Sequence, residues 1–319
     1  MNNNKEELRI AFMGTPAFSV TILEALKKNG YNIAMAFSQD DKAVGRKKVI
    51  EKTPVKIFCE QQHIPVFTPK KIDTEAIALL HQFEIDLVIL VAYGKILPPD
   101  FLTVPPLGAI NIHPSLLPKF RGPSPIQNAL LEGDAITGST IMLMDAGVDT
   151  GDILRQKEIT ISAQETYLEL SAELASFSAA LRLETLDDFL QNKILPQKQD
   201  TTQASYCKMI RREDGQISWL ENGQTIFNKF RALAGWPGVH TLWEDGEQIK
   251  RIKLHQISYL EGDFLNRSIG ETFLQDQKLC VKAGTGAIAI HQLQLEGKAS
   301  IATNDFLNGY KNFIGIILK

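Results

Sequence analysis

Asn111 and His113 stand two residues apart in the segment Asn111-Ile112-His113-Pro114-Ser115-Leu116-Leu117-Pro118. Residues i and i+2 of a strand project to the same side, so the amide and the imidazole are expected to face one space. Pro114 ends the ladder and turns the chain outward. An amide NH2 beside an imidazole suits a reaction in which an oxyanion develops and a proton moves. The same residues fit a hydrogen-bonded strand-end histidine beside a turn former, and spacing alone leaves both readings open.

A second segment, Asp145-Ala146-Gly147-Val148-Asp149-Thr150-Gly151-Asp152, carries three carboxylates and two glycines between two apolar runs. A carboxylate beside an imidazole fixes its tautomer and favours its charged form. Such a segment is equally an Asp/Gly-rich hairpin loop whose carboxylates cap backbone N–H groups. The third segment runs from Lys42 to Lys56 and holds six basic residues and one acid, Glu51. It reads either as a solvated loop or as an arm that contacts phosphates.

Some chemistries are disfavoured by missing motifs. Gly14 follows a short apolar run, but the chain continues Thr15-Pro16-Ala17-Phe18 and lacks the G-x-G-x-x-G dinucleotide fingerprint. It has no G-x-x-x-x-G-K-[ST] and no H-E-x-x-H, and its six histidines are too scattered for a local zinc clip. No metal is expected.

The elements that must position these segments alternate. Leu8 to Met13, Asn32 to Phe37, Ile64 to Phe67, Ile85 to Val91 and Gly108 to Ile112 read as strands, with helical spacing over Phe18–Leu26 and Thr74–Phe83 and a helix opening at Thr53-Pro54. Repeated β-α-β units imply a Rossmann-like α/β domain, a parallel sheet whose ligands sit at the carboxyl ends of its strands. Two more strands are predicted over Ile136–Met144 and Ile153–Ile159, then a long helix from Gln164 to Leu190 with Ser162-x-x-Glu165 as its capping box. The polar run Leu195–Ser205 reads as a linker. The tail breaks into short strands between turn residues, the pattern of a small β-barrel. The expected division is 1–194 catalytic, 195–206 linker and 207–319 barrel.

A length of 319 residues with 44% apolar content accommodates two such cores and excludes a disordered or disulfide-stapled chain. The net charge of −3 argues against a dedicated nucleic-acid binder. That average hides a split: residues 207–319 carry 14 basic against 12 acidic groups, while residues 1–206 are net negative. Cys59, Cys207 and Cys280 are widely separated and odd in number, and the first residues lack an apolar signal core. The longest apolar stretch, Ile85–Tyr93, contains Asp86 and is far too short to span a bilayer. A soluble, cytoplasmic protein is expected.

Phe12-Met13-Gly14-Thr15-Pro16-Ala17-Phe18, Val91-Ala92-Tyr93-Gly94 and the Asn111 and Asp145 segments together resemble the signatures of 10-formyltetrahydrofolate-dependent formyltransferases. Arg121-Gly122-Pro123-Ser124-Pro125-Ile126-Gln127 and Trp236-Pro237-Gly238 resemble the branch acting on methionyl-tRNA. The resemblance covers nearly the whole chain. It implies a Rossmann-like catalytic domain joined to a C-terminal tRNA-binding barrel of OB-like form, residues 207–319, whose positive charge would contact phosphates. The implied reaction transfers the formyl group of 10-formyltetrahydrofolate to the α-amino group of methionine on initiator tRNA. The family's catalytic Asn, His and Asp fall on Asn111, His113 and Asp149. Its folate contacts fall on Ser115, Leu116, Leu117 and Pro118, with Tyr93 and Gly94, and its tRNA-contacting arm on Arg46, Lys47 and Lys48. No membrane partner is implied, and a monomer is expected. Two related readings share the motifs: a formyltransferase acting on a small amine, such as a nucleotide sugar or purine precursor, and a catalytically silent tRNA binder.

Overall fold

The computed structural model describes residues 5–44 and 49–319. By its internal contacts the chain divides into two compact units. The first comprises residues up to Pro125, Ile136–Thr160 and Leu170–Lys208, and the second Ile126–Ala135, Ile161–Glu169 and Met209–Lys319. The polar run 195–206 therefore packs as part of the first unit. Its Gln197 pairs with Ile153, and Tyr206 bridges to Arg121.

In the first unit, β1 (Arg9–Gly14), α1 (Ala17–Lys28) and β2 (Asn32–Phe37) lead to a two-stranded ladder, β3 (Lys42–Val44) with β4 (Val49–Glu51). Then follow α2 (Pro54–Gln61), β5 (Val66–Phe67), α3 (Thr74–Gln82), β6 (Leu87–Val91), α4 (Pro99–Leu102) and β7 (Ala109–His113). After α5 (Pro125–Glu132), which from Ile126 on belongs to the second unit, come β8 (Ile136–Leu143), β9 (Ile153–Thr160) and α6 (Tyr167–Leu190), the last in the first unit from Leu170. The main sheet has the order β5-β2-β1-β6-β7-β8-β9. Pairing is parallel from β5 through β7, whereas β7 with β8 and β8 with β9 pair antiparallel. The parallel strands are apolar throughout because both faces are covered. Ile10, Phe12, Leu87, Ile89 and Val91 pack with Ile22 and Leu26 of α1 and Leu181 and Leu186 of α6. Their alternates Ala11, Met13, Val88 and Leu90 pack with Ala76 and Leu80 of α3 and Phe101 of α4.

Local signals explain the helix starts. Thr53 accepts the Lys56 N–H at 3.2 Å ahead of Pro54, as its N-cap position predicts. The long helix begins at Tyr167, later than its expected start at Gln164. Glu165 does bond back to the Ser162 N–H (2.9 Å), but Glu169 takes both the N–H and the hydroxyl of Thr166, and that pair stands at the helix entrance.

The second unit contains α7 (Gly223–Ala232), β10 (Val239–Asp245), β11 (Gln248–Leu260), β12 (Thr272–Gln275), β13 (Lys278–Lys282), β14 (Ala287–Leu295), β15 (Ser300–Ala302) and α8 (Thr303–Gly309). Its antiparallel sheet has the order β10-β11-β14-β13-β12, with β15 on β14. Both outer strands find a partner in the tail. Thr272 and Gly270 bond to Ile316 and Leu318, while Leu242 exchanges two bonds with Lys319. The barrel-like tail read from the turn spacing is thus a curved antiparallel sheet whose two edges meet one short segment.

Candidate active site

β7 lies beside β6, and the carboxyl ends of β1, β6 and β7 form the edge where chain order reverses across the sheet. Crevices at such edges hold ligands in open α/β sheets. Thr15 and Gln39 both donate to the carbonyl of Tyr93 there, at 3.2 and 2.8 Å, tying the ends of β1, β2 and β6 together.

Asn111 and His113 are 5% and 4% exposed and sit on the same side of β7, as their spacing predicts. The amide Nδ2 of Asn111 donates to Asp149 Oδ1 at 3.0 Å. Asp149 Oδ2 accepts the backbone N–H of Gly122 at 2.8 Å and lies 3.6 Å from His113 Nδ1. The other ring nitrogen, Nε2, is 2.9 Å from the carbonyl of Phe120. A carbonyl only accepts, so Nε2 carries the hydrogen, and in the neutral ring Nδ1 is the lone-pair nitrogen facing the carboxylate. At 3.6 Å this pair is longer than a hydrogen bond, so a proton at Nδ1 is attracted to the carboxylate yet free to point at a ligand. Asn111 keeps its second amide hydrogen for a ligand.

Both readings of the Asp/Gly segment are realised, by different residues. Asp145 caps the turn, accepting from Gly147 N (3.0 Å) and the Thr150 hydroxyl (2.6 Å). Asp149 instead takes a left-handed backbone (φ 53°) that turns its carboxylate toward Asn111 and His113. Gly151 is required by crowding, because a Cβ there would stand 1.8 Å from the carbonyl of Leu143.

The sequence left two residues of this arrangement unassigned. Gln199 donates from Nε2 to the carbonyls of Asp149 (2.9 Å) and Gly151 (2.8 Å). Its Oε1 accepts from Arg121 Nε (3.1 Å) and Nη2 (2.7 Å), and Arg121 is 2% exposed. Gln199 lies in a polar stretch without periodicity, so only the pairing of that stretch with Ile153 and Arg121 reveals its place. Cys207 supports the same corner: Ser124 N donates to its sulfur at 3.3 Å, and burial pushes its thiol pKa up, with Asp149 adding to the effect. It is a packing thiol rather than a nucleophile.

The residues assigned to folate by resemblance are placed unevenly. The Ser115 hydroxyl closes its own turn on the carbonyl of Lys119 (2.6 Å), and Leu117 is buried with its N–H on Thr140 Oγ1 (3.1 Å). Leu116 and Pro118 are half-buried and present side-chain surface. Tyr93 is fully buried in the core under α3 and α4, its hydroxyl without a partner and its pKa raised by burial and then by Asp40. Gly94 (φ 78°) makes room for Gln39, whose Nε2 would lie 2.5 Å from a Cβ there. Arg46, Lys47 and Lys48, the expected tRNA arm, lie outside the described residues. Of the flanking cations, Lys56 pairs with Asp41 (2.8 Å) and Lys52 with Glu60 (2.7 Å), while Lys42 donates to Gln39 (2.8 Å). Among the described residues, no cluster of three or more His, Cys, Asp or Glu side chains is placed to hold a metal ion. None of their helices is long and apolar enough to cross a membrane.

Comparison with known proteins assigns this arrangement to a family. The profile described as formyl transferase matches residues 8–186, and that of the formyl transferase C-terminal domain matches residues 209–311. A methionyl-tRNA formyltransferase of Caldicellulosiruptor saccharolyticus is 40% identical over 97% of this chain and 99% of its own length. One from Syntrophus aciditrophicus is 38% identical over 98% and 99%. Among solved structures, an N-formyltransferase from Helicobacter canadensis superposes with a TM-score of 0.65 at 18% identity, covering 89% of this chain and 98% of that one, a likeness of fold. With both domains matched in order, and relatives aligned from end to end, this chain belongs to the formyl transferase family.

Proposed function

We propose that this protein transfers the formyl group of 10-formyltetrahydrofolate to the α-amino group of methionyl initiator tRNA, with Asn111, His113 and Asp149 at the reacting centre. The observation that carries the chemistry is the convergence of the three: Asn111 donates to Asp149 at 3.0 Å, and the same carboxylate faces His113 Nδ1 at 3.6 Å. The acceptor follows the full-length relatives named methionyl-tRNA formyltransferase.

The reaction is acyl transfer through a tetrahedral intermediate. The neutral amine of methionyl-tRNA adds to the formyl carbon, and the carbonyl oxygen becomes an oxyanion. The second N–H of Asn111 and a proton at His113 Nδ1 stabilise that oxygen, each donor contributing about 3 kcal/mol. Asp149 accepts the proton released by the amine. Collapse of the intermediate breaks the bond from the formyl carbon to N10 of the folate, and N10 takes up the proton that Asp149 received. Holding amine and formyl carbon together supplies several further kcal/mol, on the order of 7 or more. Leu116 and Pro118, the half-buried members of the 115–118 segment, are the side chains through which folate is gripped, and Ser115 and Leu117 act by shaping that turn.

The test is a choice of acceptors. The protein is mixed with 10-formyltetrahydrofolate and either methionyl initiator tRNA or small amines, including nucleotide amino sugars. Formyl on the methionine of the tRNA is expected. Formyl on small amines alone would move the chain to another branch of the family, and none on either would reduce it to a binder.

A further inference from the structure

His113 ends β7, and its partner across the sheet is Thr140 of β8, which in turn lies opposite Gln156 of β9. Directly opposed antiparallel residues point to the same side, so imidazole, hydroxyl and amide form one row over three strands. The alternate residue Ser139 faces the other way and accepts from Ser178 of α6 at 2.8 Å. The row therefore lies on the face that α6 does not cover. The chain leaving His113 folds back onto this row, and the row holds it.

Thr140 is fully buried, and its hydroxyl is used to capacity there. Oγ1 donates to the carbonyl of Ser115 at 2.6 Å and accepts the Leu117 N–H at 3.1 Å and Gln156 Nε2 at 2.8 Å. A hydroxyl has one hydrogen and two lone pairs, so none is left over. Gln156 gives its other amide hydrogen to the carbonyl of Leu117 at 2.9 Å. Gly138, two residues before Thr140 and on the same face, leaves space for Leu116, because a Cβ there would stand 2.5 Å from Leu116 Cδ2. A buried hydroxyl is costly unless its bonds are made, and here every one of them serves the turn or its second tie. The ties take only backbone groups of Ser115 and Leu117, so the half-buried side chains of Leu116 and Pro118 keep their remaining surface for a ligand.

We infer that Thr140 and Gln156 are positioning residues for the formyl donor: they seat the 115–118 turn on β8 and β9 and so fix Leu116 and Pro118 relative to His113. The inference rests on the reading above that this turn grips folate. Neither side chain reaches the reacting atoms. Without the hydroxyl, the Ser115 carbonyl, the Leu117 N–H and one Gln156 hydrogen lose their partner together, and the turn leaves its place beside the imidazole.

The test is direct titration of the full-length protein with tetrahydrofolate, which needs no acceptor, joined to kcat and KM for 10-formyltetrahydrofolate with methionyl initiator tRNA. Thr140→Val retains the shape and removes the hydroxyl, and is expected to weaken tetrahydrofolate binding about tenfold. KM for the donor should rise in step, while kcat at saturating donor stays within about threefold of wild type. Thr140→Ser restores the hydroxyl and should bring affinity back to within about twofold. Gln156→Leu should weaken binding about threefold, and by less than that in the Thr140→Val background, because the two side chains share one tie. A merely structural role would lower the folded fraction, and with it kcat, without moving KM. Should Thr140→Val fail to fold by circular dichroism, Gln156→Leu, altered on the exposed edge strand β9, carries the test alone. Wild-type affinity in Thr140→Val and Gln156→Leu, an equal loss in Thr140→Ser, or a fall in kcat at constant KM would each overturn the seat. Leu116→Ala separates the two levels. If it binds tetrahydrofolate normally, the reading that this turn meets folate fails and takes the inference with it; if it binds weakly while Thr140→Val binds normally, the seat alone fails.

Discussion

Gln199 holds the backbone on both sides of the turn that aims Asp149, donating to the Asp149 carbonyl at 2.9 Å and to the Gly151 carbonyl at 2.8 Å. The amide cannot flip, because its oxygen is fixed by the two guanidinium donors of buried Arg121. Arg121 and Gln199 are positioning residues: they set where the carboxylate sits without reaching the reacting atoms themselves.

Gln199→Glu should therefore be more damaging than its near-identical shape suggests. A carboxylate has no N–H for the two carbonyls and would repel them. A displacement of about 1 Å in a catalytic group costs on the order of 100-fold in rate. The expected result is a kcat lowered by one to two orders of magnitude, with the KM for the folate donor changed far less and the circular dichroism spectrum intact. A full wild-type kcat in Gln199→Glu would remove the relay from the account.

Asn111→Ala and Asp149→Asn separate two roles at the centre. Asn111→Ala removes an oxyanion donor and should lower kcat by about 100- to 1,000-fold. Asp149→Asn retains the size of the side chain but has one acceptor oxygen where the carboxylate serves both Asn111 and Gly122. It also removes the charge opposite His113 Nδ1, so its pH–rate profile should change shape, whereas that of Asn111→Ala should keep the wild-type form. Direct titration with tetrahydrofolate should show near-normal donor affinity in both. Equal loss of donor affinity and rate in Asn111→Ala would contradict a role confined to the transition state.

How much of this was legible in the sequence depends on the range of the interaction. Asn111 and His113 follow from the period of a strand, which is local, and the five parallel strands follow from apolar runs buried on both faces. The direction of β8 and β9 does not, since apolar alternation is the same in a parallel and an antiparallel strand. Tyr93 illustrates another limit: its motif placed it near folate, but only the packing of β6 against α3 and α4 shows its ring enclosed in the core. Gln199 is invisible locally, because its partners lie 48 to 78 residues away and no spacing rule reaches that far. The side-by-side placement of His240 and Lys253 depends on the β10–β11 register across a hairpin. Net charge averages over such faces and erases them.

Arg182 of α6 is almost fully buried, and all three of its guanidinium nitrogens lack hydrogen-bond partners. Burial lowers its pKa to about 9, against the opposing pull of Tyr31 and Asp187. Asp187 does not depend on it, being bonded to Tyr31 and to Lys5 Nζ at 2.8 Å. Replacing a buried, poorly satisfied charge by an apolar side chain of similar length often stabilises a protein by about 1–4 kcal/mol. Arg182→Met should accordingly raise the urea midpoint at pH 7. A destabilised variant at pH 7 would mean that the guanidinium is satisfied in a way its neighbours do not reveal.

The closure of the C-terminal sheet can be tested at one glycine. Gly270 has φ +81°, and a Cβ on it would stand 2.6 Å from the carbonyl of Leu318. Its own carbonyl accepts the Leu318 N–H at 2.9 Å, so both contacts lie in the seam between β12 and the tail. The next pairing residue, Lys319, bonds to Leu242 of β10 and accepts from Thr241 Oγ1 at 2.8 Å, and that hydroxyl in turn receives the buried Trp219 indole N–H at 2.9 Å. Gly270→Ala adds a methyl where the left-handed backbone and the tail both exclude it, and should destabilise the protein by upward of about 1 kcal/mol. Hydrogen exchange should localise the effect to residues 316–319 and to Leu242, with β1, β6 and β7 keeping wild-type protection. If Gly270→Ala left those amides protected, the tail would be held by the burial of Leu318 alone and the seam bonds would contribute little to closing the sheet.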